Sequence, residues 1–278
     1  MPVSQRIHLH LLSDSTGETL EMIAKAGLAQ FEGVETAKHF WPMVRTEGHL
    51  DRVLGEVAER PGLVLYTIVN PALRDHLEAR CRVMGLQAIA ALDPVVHALS
   101  GVIGKPMVMR PGRQHVMDEA YFARVDAIHY TIAHDDGVGP DGWEQADIVL
   151  VGVSRTSKTP TSIYLANRGF KTANVPLVPT SPPPAALAEL RAPLVVGLTT
   201  NNDRLIAVRR NRLLAMNQAP ETDYVDPELV ATELAMARRL FADRGWPVID
   251  VSRRSIEESA SAIISLYEAR YGEEKLVS

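Results

Sequence analysis

Short, wholly apolar runs alternate along this chain with longer stretches in which apolar residues return every third or fourth position. An apolar run of about four to eight residues reads as a buried strand, and the 3.6-residue return reads as an amphipathic helix. The pattern predicts strands over 7–12, 36–41, 63–69 and 87–92, the third rich in β-branched residues. Helices are predicted between and after them, over 16–31, 47–60, 71–84 and 94–99. Pro71 stands in the first turn of its helix, where the N–H it lacks would have had no partner. Strand and helix in turn predict parallel strands joined by crossover helices.

Gly, Pro and Met interrupt this rhythm over 101–112. A helix is then predicted over 118–133, followed by a turn-rich loop over 134–140. A second set of strands is predicted over 147–151, 173–178, 193–199 and 247–251, with helices over 162–167, 204–216, 228–244 and 256–271. The proline-rich stretch 179–193 reads as a surface connection around a short helix. The fold class expected is α/β, with two lobes of mostly parallel sheet flanked by helices. The boundaries implied are an N-terminal lobe over 1–104, a connecting helix and His-Asp-Asp-Gly loop over 105–145, and a C-terminal lobe over 146–278. Ligand sites in open α/β sheets lie at the carboxyl ends of strands, and two polar loops occupy such ends.

The first follows the apolar run Ile148-Val149-Leu150-Val151 and reads Gly152-Val153-Ser154-Arg155-Thr156-Ser157-Lys158-Thr159. Strand, short polar loop, Lys-Thr and helix is the layout of a phosphate-binding loop. Unpaired N–H groups and the helix dipole favour an anion at a helix N-terminus. Lys158 adds a full charge, Thr159 offers a hydroxyl to a metal or phosphate, and Arg155 is placed for a phosphate contact. Ser157 stands where such loops carry a second glycine; glycine permits a positive φ and close backbone approach there, serine does so only at a cost, and a differently curled loop is the alternative. With Ser157 as N-cap, Pro160 falls in the first turn, where proline is tolerated.

The second loop, Ser13-Asp14-Ser15-Thr16-Gly17-Glu18-Thr19, follows the first strand. Ser15 and Glu18 have the spacing of a capping box, which predicts a helix start there. The crowding of Ser13, Asp14, Thr16 and Gly17 beside them equally suits an oxyanion or hydroxyl site. His134-Asp135-Asp136-Gly137 offers two carboxylates and an imidazole just ahead of the phosphate-loop strand. Phosphoryl transfer to a hydroxyl needs a base and ordinarily Mg²⁺. Asp136 is the first candidate for the base and Asp14 the second, with His134 assisting. Arg209 and Arg212 share a helix face, read either as paired phosphate ligands or as a solvated face. No strand ends in an acidic residue placed like a Walker B aspartate, which argues against an ordinary ATPase or GTPase switch.

Composition narrows the reading by exclusion. Of 278 residues, 46% are hydrophobic and 23% charged, as expected of a globular chain. A net charge of −5 argues against a general nucleic-acid binder. No apolar run reaches the ~20 residues needed to span a membrane, and the run 7–12 is too short for a signal peptide and contains His8 and His10. Cys81 is the single cysteine, which fits a reducing cytoplasm; its neighbours Arg80 and Arg82 could lower a thiol pKa, though a small core residue is the simpler role. No Cys/His spacing resembles a zinc site.

The run Ala146 to Pro160 through Gly152-Val153-Ser154-Arg155-Thr156-Ser157-Lys158-Thr159 resembles the bacterial pyruvate, phosphate dikinase regulatory proteins, whose sister branch regulates phosphoenolpyruvate synthase. Further resembling segments are Ser13 to Thr19, His134 to Gly137, Tyr164-Leu165-Ala166, Ala173 to Leu177 and Ser255 to Ala260, and the likeness spans nearly the whole chain. It implies a bifunctional enzyme that uses ADP to phosphorylate a threonine of the dikinase, inactivating it. The same enzyme removes that phosphate with inorganic phosphate, releasing pyrophosphate. The ADP site carries over onto Gly152 to Thr159, and both reactions can share one anion cradle. His8 to Leu12 and Trp41 to Thr46 lean towards the dikinase branch by resemblance. Two other readings stay open: the same chemistry on the synthase, and a non-enzymatic ADP sensor. A homodimer is the default assembly.

Overall fold

The computed structural model describes residues 6–108, 110–112, 119–179, 181–219 and 222–272. The chain divides into two compact units, Met1–Val116 and Met117–Ser278.

The first unit runs β1 (Ile7–Ser13), α1 (Glu18–Leu28), β2 (Thr36–Trp41), α2 (Glu47–Glu59), β3 (Leu63–Thr67), α3 (Pro71–Val83), β4 (Ala88–Ala90) and α4 (Asp93–Ile103). Its four strands are parallel in the order β2-β1-β3-β4. Helices cover both faces of such a sheet, so its inner strands are apolar on both sides. Leu9, Leu11 and Leu65 pack with Leu20 and Ala24 of α1 on one face. Leu12, Val64 and Tyr66 pack with Leu50, Leu54, Leu73 and Leu77 of α2 and α3 on the other. Cys81 is buried in this second cluster, and burial pushes its thiol above the ordinary range. Its role is therefore packing, and the flanking arginines do not activate it.

The second unit runs α5 (Glu119–Ala133), β5 (Ile148–Val153), α6 (Lys158–Asn167), β6 (Thr172–Leu177), α7 (Ala186–Glu189), β7 (Leu194–Thr199), α8 (Asn202–Ala215), α9 (Pro227–Arg244), β8 (Val248–Asp250) and α10 (Ile256–Tyr271). Short 3-10 turns at Pro140–Gln145 and Asp223–Val225 are additions to the sequence reading. The sheet is again parallel, in the order β6-β5-β7-β8. Val149, Val151 and Val153 meet Val230, Leu234 and Phe241 of α9 on one face. Ile148 and Leu150 meet Leu165 of α6 and Ile263 of α10 on the other. A Cβ at Gly197 would lie 2.5 Å from the Phe241 ring, so glycine in β7 is what lets α9 close down on the sheet.

The eight predicted strands are all present, and the fold is the expected α/β pair of parallel sheets. Two local expectations need correction. Ser15 and Glu18 form no capping box: α1 is capped by Gly17 at φ 80, with no side-chain bond. A Cβ at Gly17 would stand 2.6 Å from the Phe40 ring, so backbone freedom and close packing set this helix start. A capping box does form at Ser255 and Glu258, where α10 begins. The helix predicted over 94–99 extends to Ile103 and stops at Gly104, φ 68, so Gly101 is carried inside it. Asp118, where another helix is predicted to begin, lies outside the described residues. No helix among them is long and apolar enough to cross a membrane.

An imidazole stack links β1 to β2. His8 Nδ1 and His39 Nε2 lie 2.8 Å apart, and His10 stacks on His39 with ring centres 4.6 Å apart. His10, fully buried, donates from Nε2 to the Arg60 carbonyl and accepts from Trp41 Nε1 at Nδ1. All three bonds suit neutral rings, and burial holds His10 and His39 below their ordinary value of 6.5. A depressed histidine adds stability that is complete above the unfolded value and drains as pH falls towards the folded one. Thermal unfolding followed from pH 8 to pH 5 should therefore show Tm dropping below about pH 6.5, with His10 titrating late by NMR. A Tm that stays flat through that window would count against the stack as an acid-sensitive element.

Candidate active site

The carboxyl end of β5 turns into α6 through residues 154–157. A Cβ at Gly152 would stand 2.7 Å from the Leu198 carbonyl oxygen and 2.8 Å from Thr156 Oγ1, so only glycine lets this turn sit against β7. Arg155 (φ 72) and Ser157 (φ 60) both adopt the left-handed conformation. Left-handed residues at alternate positions form a concavity of backbone N–H groups. Ser157 caps α6 without a side-chain bond, so its own hydroxyl does not occupy the first-turn amides. Serine thus takes the conformation that glycine would adopt without strain.

Two side chains tie this loop together from beneath. Thr156 Oγ1 and Lys158 Nζ both donate to the Val153 carbonyl, at 2.9 and 3.0 Å. Lys158 is only 6% exposed. Burial brings its pKa down to about 8, against the pull of Asp136 and Asp135 and with repulsion from Arg155 and Arg209.

Asp135 and Asp136 follow α5, which packs on α6 and β6. The loop is pinned to β6 by Gly137 N–H donating to the Asn174 carbonyl and Asn174 N–H donating to the His134 carbonyl. Asp136 is left-handed, φ 53. Thr159 Oγ1 donates to Asp135 Oδ1 at 3.1 Å, and Asn174 Nδ2 donates to the same carboxylate and, at 2.9 Å, to Thr159. Asp135, Asp136, Arg155, Lys158 and Thr159, with Ser154, Ser157, Pro160 and Val208, line a cleft of about 340 Å³.

His134 is not among the cleft residues. Its ring stacks on Tyr130, centres 4.0 Å apart, and Nδ1 donates to the Tyr130 carbonyl. A Cβ at Gly142 would come within 2.2 Å of its Nε2. His134 therefore shapes the loop that carries the two aspartates. Asp14 belongs to the first unit, at the end of β1. Of the chosen acid and base candidates, the structure brings Asp136 and Lys158 into one cleft.

Arg209 and Arg212 part company. Arg212 is exposed, but Arg209 is 1% exposed, which corrects the reading of a solvated face. Its guanidinium donates to Glu233 through both Nη atoms (2.6 Å for the shorter), to the Tyr224 carbonyl (3.0 Å) and to the Ser154 carbonyl (3.4 Å). Tyr224 stacks against it and places its hydroxyl 3.1 Å from Ser154 Oγ. Asn174, Tyr224 and Glu233 escape sequence reasoning. For Asn174 a signal existed: a fully buried amide in an otherwise apolar strand demands partners.

A parallel sheet, a glycine-tight turn into α6, a buried lysine and paired carboxylates make this cleft the candidate site of an α/β protein. The chain belongs to the kinase/pyrophosphorylase family, whose model matches residues 9–264. It is 67% identical over 270 residues to a protein of Rhizorhabdus wittichii, covering 97% of this chain and 98% of that one. It is 69% identical over 266 residues to one of Novosphingobium aromaticivorans, covering 96% and 95%. Both relatives are named as pyruvate, phosphate dikinase regulatory proteins.

Removing one partner of a buried, hydrogen-bonded ion pair costs about 3–5 kcal/mol, because the other charge stays buried. Glu233→Ala should therefore lower unfolding stability by about that much in urea titrations, and Glu233→Gln by less. A loss below about 1 kcal/mol would show that the Glu233 side of this anchor can be dispensed with.

Proposed function

We propose that the cleft binds ADP and transfers its β-phosphoryl group to a threonine of pyruvate, phosphate dikinase, and that the same cleft reverses the modification with inorganic phosphate. The observation that carries this reading is the convergence of the buried Lys158, the uncapped start of α6 and the two aspartates on one cleft. The relatives' names supply the partner. In the forward reaction the loop over Gly152, Val153, Ser154, Arg155, Thr156, Ser157, Lys158 and Thr159 holds the β-phosphate through amides and Lys158. Asp136 accepts the threonine proton as the hydroxyl oxygen bonds to the β-phosphorus and AMP leaves. In the reverse task a phosphate oxygen attacks the phosphothreonine phosphorus. Pyrophosphate forms and the departing threonine oxygen takes a proton from Asp136. Positioning and charge stabilisation do most of the work in such transfers.

Asp135 and the Thr159 hydroxyl are hard oxygen donors 3.1 Å apart at the cleft, a pair that fits Mg²⁺ held jointly with substrate phosphates. A bound Mg²⁺ would spread the charge of the transferred group. The lone, buried Cys81 suits a reducing compartment, and we assign the protein to the cytoplasm.

Purified protein, dikinase and ADP labelled in the β-phosphate test the reading directly. Label on a dikinase threonine is the expected result. Transfer to phosphoenolpyruvate synthase instead would move the protein to that target, and ADP binding without any transfer would leave only a nucleotide sensor. Lys158→Ala should cost both activities about 100-fold or more; retention of the phosphorolytic activity would mean two separate cradles. Asp136→Asn should slow the kinase about 100- to 10,000-fold, and a near-normal rate would remove it from the role of base. Because Lys158 is charged below about pH 8 and neutral above it, ADP affinity should hold steady up to pH 8. It should then fall by up to about tenfold per pH unit, while Lys158→Arg stays flat. Wild-type affinity that is unchanged from pH 7 to pH 10 would sink this assignment of the lysine.

A further inference from the structure

Asn174 sits in β6, an edge strand of its sheet, between the fully buried Ala173 and Val175. Its main chain faces away from β5. The N–H donates to the His134 carbonyl at 3.1 Å, and the carbonyl accepts from the Gly137 N–H at 2.8 Å. The loop that carries Asp135 and Asp136 is thereby held to the sheet edge by main-chain bonds, which do not depend on the Asn174 side chain.

The side chain does something else: it closes a triangle of hydrogen bonds. Thr159 gives its one hydroxyl proton to Asp135 Oδ1 at 3.1 Å. Asn174 Nδ2 gives one proton to the same carboxylate oxygen and the other to Thr159 Oγ1, at 2.9 Å. A primary amide is the neutral side-chain group that carries two protons on one nitrogen. The reversed amide would set its oxygen against a carboxylate. Lysine or arginine could hold Asp135 as firmly but would cancel its charge. No ion pair of Asp135 occurs among the described residues, so its charge is aimed without being neutralised.

The same amide carries a defect. Asn174 is 1% exposed, and its Oδ1 is buried with no hydrogen-bond partner. A buried acceptor left unpaired destabilises a fold, and an apolar side chain between Ala173 and Val175 would avoid that loss. Stability gives no reason for an asparagine here, whereas the two donated protons do. Asn174 is not among the residues lining the cleft, but Asp135 and Thr159 are. We propose that Asn174 is a positioning residue: its amide holds the Asp135 carboxylate and the Thr159 hydroxyl as one fixed pair of oxygen donors in the cleft wall. The inference deepens the function proposed above and rests on it for its kinetic consequence. Removing a group that orients the ligands of a metal ordinarily costs about 10- to 100-fold in affinity or activity.

Asn174→Leu in the full-length protein is the test. Leucine has the branching of asparagine without its polar atoms, and the main-chain bonds to the loop remain. The smaller Asn174→Ala takes its place if the leucine variant does not fold. In the β-phosphoryl transfer assay kcat should fall about 10- to 100-fold, and the Mg²⁺ concentration for half-maximal rate should rise about tenfold. In an Asp135→Ala background the same change should cost less than about twofold more, because the group it acts through is gone. Crystal structures of the wild type and the variant give a readout that needs no activity: the Asp135–Thr159 hydrogen bond should be broken or the carboxylate rotated. Three results would overturn the proposal: an unchanged Asp135–Thr159 pair in the variant, losses that add fully in the double variant, or a loss of rate no greater than the loss of folded protein. A wild type that transfers no phosphoryl group would sink the proposed function instead, and the crystal comparison would still decide the positioning.

Discussion

The carbonyl oxygen of Val153 is the point on which the candidate site turns. It ends β5, and it receives both the Thr156 hydroxyl and the Lys158 ammonium. One acceptor thereby fixes both sides of the loop. The hydroxyl holds the turn folded back on its own strand, and the ammonium ties the buried Lys158 side chain to the end of β5. A buried ammonium without partners would be costly. Here it has a carbonyl and two nearby aspartates, yet burial still wins and the pKa falls to about 8. Such a lysine keeps its charge near neutrality and gains more from an arriving phosphate than a solvated lysine would, because the anion restores what desolvation removed.

The loop backbone has its own cost. Two non-glycine residues in the left-handed region each demand about 1 kcal/mol or more, and that strain persists only because the surroundings overdetermine it. Arg209 is the chief restraint from outside the loop. It grips the Ser154 carbonyl while bound to Glu233 and stacked on Tyr224, so α8, α9 and the Asp223–Val225 turn all bear on one loop residue. A buried pair of this kind is weak ground for stability, since apolar packing could replace it. Its value lies in direction: a guanidinium fork sets where the Ser154 carbonyl points, which a leucine could not do.

Much of this was legible in the sequence, and the parts that were not share a cause. The strands read well because both faces of a parallel sheet are covered, so the inner strands β3, β5 and β7 are dominated by apolar residues, with His8 and His10 interrupting only β1. The loop after β5 stood out as a candidate because its signals are local: an apolar run, a glycine, then Lys158 and Thr159 within eight residues. Ser15 and Glu18 misled because capping-box spacing is necessary but not sufficient, and the close contact of Gly17 with Phe40 decides the helix start from a neighbouring strand. Arg209 looked solvated because helix periodicity cannot show a partner that arrives 24 residues later, at Glu233. His134 looked catalytic because it adjoins two aspartates in sequence, whereas its ring is claimed by Tyr130, Gly139 and Gly142. For Gly17 and Arg209 the deciding contact was distant in sequence, and for His134 it came from the folding of its own loop.

The shared strand order of the two units separates scaffold from chemistry. Both place a four-residue turn at the same switch point and cap the following helix with a left-handed residue. A scaffold of that kind supplies converging amides whatever the side chains are. What the amides can be used for is then set by a few substitutions. Under the proposed function, Lys158 and Arg155 at two positions of one loop add Coulomb attraction for a phosphate to the hydrogen bonds of the amides. Glutamate and serine at the matching positions of the other, beside the buried Asp14, remove that attraction. The same scaffold thus carries two loops of opposite charge, which is why function has to be argued from the site rather than from the sheet that carries it.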